Sequence, residues 1–447
     1  MPEILIHNAT IINEGKSFRG ELLIRDELIV AVGKPGQIRT NPGTVKIDSS
    51  GLFVMPGVID EHVHFRDPGL TDKGDIHSES IAAAAGGITS FMDMPNTIPP
   101  AVNIETLEEK YRRASENSLI NYSFYIGATN NNLNEILRTE PGNICGIKLF
   151  MGSSTGNMQM DDINALRELF RNAHIPLAAH CEDETTIKNN TSIFLGKYGE
   201  KMPARMHPLI RSRDACFLSS SFAVRLAREY NTRLHILHLS TADEMKLLNS
   251  ELPAEEKRIT GEVCVHHLWF DESYYDKLGT LIKWNPAIKT RFDRESLINA
   301  VINDRIDVIA TDHAPHTYNE KLKKYFNAPS GGPLVQHSLV MMLELYHRKI
   351  ISLKKIVEKM CHNPATLFRI KKRGFIREGY YADICIVDPD CSWTVSKDNI
   401  LYKCGWSPLE GTTFRSKVRK TLVNGTIVFN DGIINEDYRG QRLKFDR

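Results

Sequence analysis

The chain is 447 residues long, with 56 lysines and arginines against 55 aspartates and glutamates and a formal net charge of +1. That length supports one large core of roughly 250–350 residues plus a small accessory unit, and it excludes a single small domain. With no long single-sign block, nothing predicts a nucleic-acid footprint or an electrostatic hold on a membrane, and a small molecule is the expected partner.

The N-terminal "MPEILIHNATIINEG" has no basic region leading into an unbroken apolar stretch, and no apolar run approaches the length that spans a bilayer. Residues 1–55 hold short β-branched runs separated by turns ("EILIHNATII", "GELLIRDELIVAVG", "GTVKIDSSGLFVMPG"), which is strand signal without a helix of useful length. The same character returns after residue 375, where "ADICIVD" precedes "KVRKTLVNGTIVFNDG" and Asn424-Gly425 suits a type I′ hairpin. Neither end can bury a core alone, so residues 1–55 and 375–447 are expected to form one composite β-sandwich with the rest of the chain inserted between its halves. The eight cysteines (Cys145, Cys181, Cys216, Cys264, Cys361, Cys385, Cys391, Cys404) show no CxxC spacing, the pattern of reduced thiols in a cytoplasmic protein.

From 56 to 374 the pattern changes to short apolar runs alternating with helical stretches. The runs are "GVIDEHVHF", "GITSFMDMPN", "INYSFYIGAT", "ICGIKLFM", "IPLAAHCE", "RLHILHLS", "ITGEVCVHHLWF" and "IDVIATDHAPH". Amphipathic or alanine-rich segments such as "HSESIAAAAGG", "TLEEKYRRASEN", "INALRELFRNA", "AVRLAREY" and "TADEMKLL" lie between most of them. Eight runs with helical crossovers are what a closed (β/α)8 barrel requires. An open doubly wound sheet would need a glycine-rich phosphate turn after its first strand, and "HFRDPG" is not one.

On a barrel, nearly every run carries its unusual polar residue at its C-terminal end: His62 and His64, then Asn96, Lys148, His180, His238 and Asp312. Active sites of this fold sit at that end. His62 and His64, two apart, point to one side of an extended strand. Imidazoles and a carboxylate are donors that Zn²⁺ accepts. Lys148 has two readings. Its stem can pack in the barrel while its head meets an acidic group, or its desolvated amine can capture carbon dioxide as a carbamate and bridge two metals. His235 and His238, three apart, are expected to face opposite ways; at most one of His266 and His267 points inward, and His313 faces away from the metals. Met158 and Met160 read as packing.

"DEHVHFRDPG", "GGITSFMDMPNTIPP", "GIKLFMG", "AAHCED", "HILHLS", "NPAIKTRFDRESL", "TDHAPH" and "GWSPLEG" closely resemble the cyclic-amide branch of the amidohydrolase superfamily, and within it the dihydroorotases. The resemblance covers almost the whole chain. It implies zinc-dependent, reversible hydrolysis of the cyclic amide of dihydroorotate to carbamoyl aspartate by a homodimeric enzyme. It further implies that His62, His64 and Asp312 bind the more buried zinc and His180 and His238 the more exposed one, with carboxylated Lys148 and a hydroxide bridging them and Asp312 acting as the catalytic proton shuttle. A departure at "HPLIRSRDAC" assigns no role to Arg211 or Arg213. Hydantoinases, dihydropyrimidinases and allantoinases share the metal residues, so substrate choice rests elsewhere. Dihydroorotate carries a ring carboxylate, and in the family the positions of Arg66, Asn96 and His316 bind it; allantoinases typically have asparagine where Arg66 stands. The segment from Thr317 to Gly332 is long for a βα turn. Its "APSGG" end (Ala328, Gly331, Gly332) and Asn285 are expected to line the ring site.

Overall fold

The computed structural model describes residues 3–152 and 158–447. Eight parallel strands follow one another in chain order: β1 (Val58–Val63), β2 (Ile88–Asp93), β3 (Asn121–Gly127), β4 (Gly146–Phe150), β5 (Leu177–His180), β6 (Leu234–Ile236), β7 (Ile259–Cys264) and β8 (Val308–Ala310). The ring closes where Val63 bridges His313 and the His64 amide donates to the His313 carbonyl at 2.7 Å. All eight predicted runs are therefore strands of one (β/α)8 barrel. Buried parallel strands need apolar residues on both faces, which is why they read as nearly unbroken apolar runs.

Crossover helices start at side chains that satisfy their first amides. Asp75 accepts from the Ser78 amide at the head of Ile76–Ala85, and Asn103 from Thr106 at the head of Ile104–Asn117. Asp162, Asp183, Ser212 and Thr290 cap four later helices in the same way. "TADEMKLL" is not the expected amphipathic helix but a short 3-10 turn, Glu244–Leu247. The buried Glu244 carboxylate accepts from Ser240 N, Thr241 N and Ser220 Oγ, which ties the segment into a tight bend.

Strands from both ends of the chain join one nine-stranded sheet. Its seam is Phe53–Pro56, which pairs in parallel with Ile4–Asn13, antiparallel with Ile384–Asp388, and leads directly into β1. Ile6, Ile11, Leu22, Val54, Ile384 and Leu422 share a core separate from the barrel's. The hairpin at Asn424-Gly425 has positive φ at both residues (47° and 77°), as a type I′ turn requires. Parts of the C-terminal region leave this sheet for the barrel. Trp406 donates from Nε1 to the His316 carbonyl at 2.7 Å, and Leu443 and Phe445 pack with Ile59, Tyr125 and Phe368.

Candidate active site

The C-terminal ends of the strands surround a cleft open to solvent. Its walls carry His62, His64, Arg66, Asn96, Lys148, His180, His238, Asn285, Asp312 and Gly331, and the structure thus brings together ten of the residues singled out from the sequence. Two clusters of donors form there. His62 Nε2 and His64 Nε2 lie 3.2 and 3.1 Å from the same oxygen of Asp312, Oδ1. Across the cleft, His180 Nδ1 lies 2.9 Å from His238 Nε2. Lys148 is 1% exposed, its Nζ 4.6 Å above the Phe150 ring, and no ion pair holds it among the described residues.

The backbone is bent to make this convergence. Arg66, His238 and Asp312 have φ of 68°, 39° and 47°, a region that non-glycine residues rarely occupy and that costs about 1–3 kcal/mol each. The turn at His238 explains a departure from the alternation rule. β6 ends at Ile236, so His235 and His238 both reach the interior, His235 low in the barrel and His238 at the cleft. His266 stacks on Trp284 with 13° between planes, and His267 faces the Pro286 carbonyl; neither lines the cleft. His313 points away, its Nε2 2.8 Å from Glu79.

Two supporting residues, Glu262 and Glu182, carried no sequence signal beyond being charges in apolar runs, and Asn96 supports a ligand as well as lining the cleft. Glu262 accepts from His62 Nδ1 at 3.0 Å and Asn96 Oδ1 from His64 Nδ1 at 2.8 Å, which leaves both Nε2 atoms aimed at Asp312. Glu182 sits 3.2 Å from His180 Nε2 and forms a buried pair with Arg211. Of the predicted loop, Ser330 and Gly331 reach the cleft together with Ala314. Ala328 and Gly332 stand behind it: the Ala328 carbonyl accepts from Lys283 Nζ at 2.6 Å, and a Cβ on Gly332 would meet the Trp284 ring at 2.7 Å. Gly331 has φ 122° and would place a Cβ 2.6 Å from the Ala314 carbonyl, so glycine is required there.

Burial dominates the electrostatics. It pushes His62 down to about 4 and holds His64 and His238 well below the usual histidine range, so these rings are neutral and free to ligate. It lowers the Lys148 amine to about 8 and raises the Asp312 carboxyl, the latter opposed by the nearby Lys148 ammonium. The donor set fits a metal centre: four neutral imidazoles, a carboxylate and a nucleophilic amine, with His238 Nδ1 buried and without a hydrogen-bond partner among the described residues. The ligand atoms of His62, His64 and Asp312 lie within 4.8 Å of one another.

Arg66 stands at the rim of this cluster, 4% exposed. Its Nε donates to the Pro315 carbonyl at 3.0 Å and Nη2 to His316 Nε2 at 3.0 Å, and no carboxylate lies within ion-pair distance among the described residues. Burial without a counter-ion lowers it to about 10. His316 is also approached by Lys73 Nζ at 3.3 Å, and Lys73 in turn pairs with Glu320 at 2.8 Å.

The amidohydrolase family model matches residues 53–428. A dihydroorotase from Methanothermobacter thermautotrophicus is 34% identical over 393 residues, 88% of this chain and 87% of that protein. One from Pyrococcus abyssi is 32% identical over 431 residues, 96% of each chain. Among solved structures, an L-hydantoinase (dihydropyrimidinase) from Arthrobacter aurescens superposes with a TM-score of 0.93 at 26% identity, covering 99% of this chain and 100% of that one. By domain model, sequence relatives and fold alike, the chain belongs to the amidohydrolase family.

Proposed function

We propose that this protein is a dihydroorotase, catalysing the reversible hydrolysis of dihydroorotate to N-carbamoyl aspartate. The observation that carries this reading is Arg66, a buried guanidinium without an anion of its own, opening onto the same cleft as the histidines, Asp312 and Lys148. A planar two-pronged donor matches a carboxylate. Dihydroorotate brings that carboxylate; dihydrouracil, hydantoin and allantoin do not. The fold neighbours named hydantoinase favour the second reading, a hydantoinase-type cyclic amidase, while the sequence relatives at 34% and 32% identity are named dihydroorotase.

The cofactor assigned is two zinc ions, with His62, His64 and Asp312 for one, His180 and His238 for the other, and carboxylated Lys148 between them. Bound there, they supply Lewis acidity toward the amide carbonyl and acidify water. Lys148 is prepared by its own chemistry: the ammonium loses a proton, the neutral amine adds to the carbon of carbon dioxide, a second nitrogen proton leaves, and a cation has become an anion with two oxygens. Arg66 grips the ring carboxylate, with Asn96 and His316 beside it. Asn285, whose Oδ1 is buried without a partner among the described residues, accepts from a ring N–H, and Ser330 and Gly331 wall the ring. Asp312 takes the proton of the attacking water and delivers it to the departing ring nitrogen, which otherwise would leave as an amide anion.

Residues 56–374 are taken as the catalytic unit and 1–55 with 375–447 as the supporting β unit, in a homodimer. A reducing, cytoplasmic setting is supported by the eight free thiols. Among the described residues no helix is long and apolar enough to cross a membrane.

Arg66 variants test the substrate. Arg66→Ala should lower kcat/KM for dihydroorotate by an amount corresponding to about 2–5 kcal/mol, with zinc content unchanged, because a desolvated charge pair is broken. Arg66→Lys should recover little, since a point charge cannot reproduce the fork. Unchanged dihydroorotate kinetics in both variants would move the carboxylate elsewhere and remove the argument for this substrate.

A further inference from the structure

Beneath the cleft, the barrel interior holds a run of polar side chains that the reaction does not use. Glu61, Glu262 and Tyr125 are fully buried and His235 is 3% exposed, in a layer that apolar side chains would fill at lower cost. Neither Glu61 nor His235 lines the cleft.

The contacts form one connected path. His235 Nδ1 faces Thr260 Oγ1 at 2.8 Å, and the Thr260 hydroxyl donates to the Leu234 carbonyl at 3.3 Å, which makes Nδ1 the donor and fixes the ring. His235 Nε2 meets Glu61 Oε1 at 2.8 Å, and Tyr125 donates to Glu61 Oε2 at 3.2 Å. Glu61, His235 and Glu262 each bring a polar atom within 4.8 Å of the other two, so the Glu61 carboxyl packs directly against that of Glu262. Glu262 then does two things at once. Its carboxylate accepts from His62 Nδ1, and its Oε1 accepts from the backbone amide of His238 at 3.0 Å, the residue held at φ 39°. One carboxylate thus fixes the ring of a residue assigned to one metal and the strained backbone of a residue assigned to the other.

Glu61 can take part because β1 is irregular. Its pairing with β2 shifts register between Asp60 and Val63. Glu61 and His62, adjacent in sequence, therefore both reach the barrel interior, where strict alternation would send one of them outward.

We propose that His235 is a positioning residue for the metal centre: anchored on Thr260, it holds Glu61, which holds Glu262, which sets the ring of His62 and the backbone of His238. It ligates nothing itself. The inference rests on the reading of His62 and His238 as metal ligands. Loss of such supporting contacts lowers metal affinity by about 10–100-fold, and a residue acting through two others belongs near the lower figure.

The opposite mouth of the barrel offers a chemical test, because His235 also lines a small cleft there with Arg233, Lys257, Thr260 and Phe368. Apo protein is prepared as wild type, His235→Ala, His235→Gln and Thr260→Val, and zinc affinity is measured by chelator competition, with thermal unfolding of each apo protein as the control for folding. His235→Ala should bind zinc about tenfold more weakly. His235→Gln, which keeps a polar partner for Glu61, should lie closer to wild type, and imidazole added to His235→Ala should restore affinity. Thr260→Val should shift affinity in the same direction by less. Wild-type zinc affinity in folded His235→Ala overturns the proposal. If that variant does not fold, wild-type affinity in both His235→Gln and Thr260→Val overturns it. Wild-type protein that binds no zinc would instead remove the ligand assignment on which the proposal stands.

Discussion

Lys148→Ala should have no measurable turnover in either direction, and added short-chain carboxylic acids should restore part of it. The residue sits 1% exposed on β4 among the cleft donors, and alanine leaves a side-chain-shaped space there. A small carboxylate can enter that space and present the two oxygens that the carbamate supplies. In wild type, equilibration with carbon-13 bicarbonate should give a carbamate resonance. Since burial lowers the amine to about 8, reconstitution of apo protein with zinc at a fixed concentration of dissolved carbon dioxide should accelerate as pH rises toward that value and level off above it, where the nucleophilic neutral form has taken over. An unmodified Lys148 in active, fully metallated enzyme would contradict the bridging role.

Asp312→Asn should keep part of its zinc through the amide oxygen yet lose at least ~10²-fold in both hydrolysis and condensation, the lower end of what positioned proton transfer contributes. Oδ1 of Asp312 is committed against His62 and His64, and the second oxygen is the one assigned to the proton. Hydrolysis draws on the unprotonated carboxylate and gains with rising pH. Condensation consumes a proton and gains as pH falls. Without metal, burial raises the Asp312 carboxyl, and zinc bound beside it favours the anionic form that hydrolysis needs. Near-normal rates at full zinc occupancy would transfer the shuttle to another group, with His316 the first to test, and leave Asp312 as a ligand alone.

Much of this site was legible because barrel geometry selects one end of each strand. His62, His64, Lys148, His180, His238 and Asp312 are conspicuous as polar residues closing apolar runs, and their convergence follows from the fold. What escaped reading depends on departures from strand periodicity. Glu61 turns inward only because β1 carries a register shift, and His235 and His238 share the interior only because β6 stops at Ile236 and the chain turns at positive φ. In the loop before Gly332 the residue types did not say which of five neighbours would face the cleft. Lysines 283 and 321 decide it by gathering the carbonyls of Tyr325, Ala328, Pro329 and Gly331. The paths of Trp406, Leu443 and Phe445 back to the barrel are tertiary packing with no local signature.

The fold alone does not choose the substrate, since a hydantoinase superposes with a TM-score of 0.93. Carbamoyl aspartate offers a direct discrimination because it carries two carboxylates on which its ureido nitrogen can close. Closure on the side-chain carboxylate gives the six-membered ring of dihydroorotate and leaves the α-carboxylate for Arg66. Closure on the α-carboxylate gives a five-membered hydantoin bearing an acetate arm. The measurement is the product formed when zinc-loaded enzyme is incubated with carbamoyl aspartate at mildly acidic pH, identified by chromatography against both standards. Dihydroorotate as the product, absent with Asp312→Asn, is the predicted result; the hydantoin acetate, or no cyclisation by an enzyme that hydrolyses hydantoin or dihydrouracil, would contradict the account.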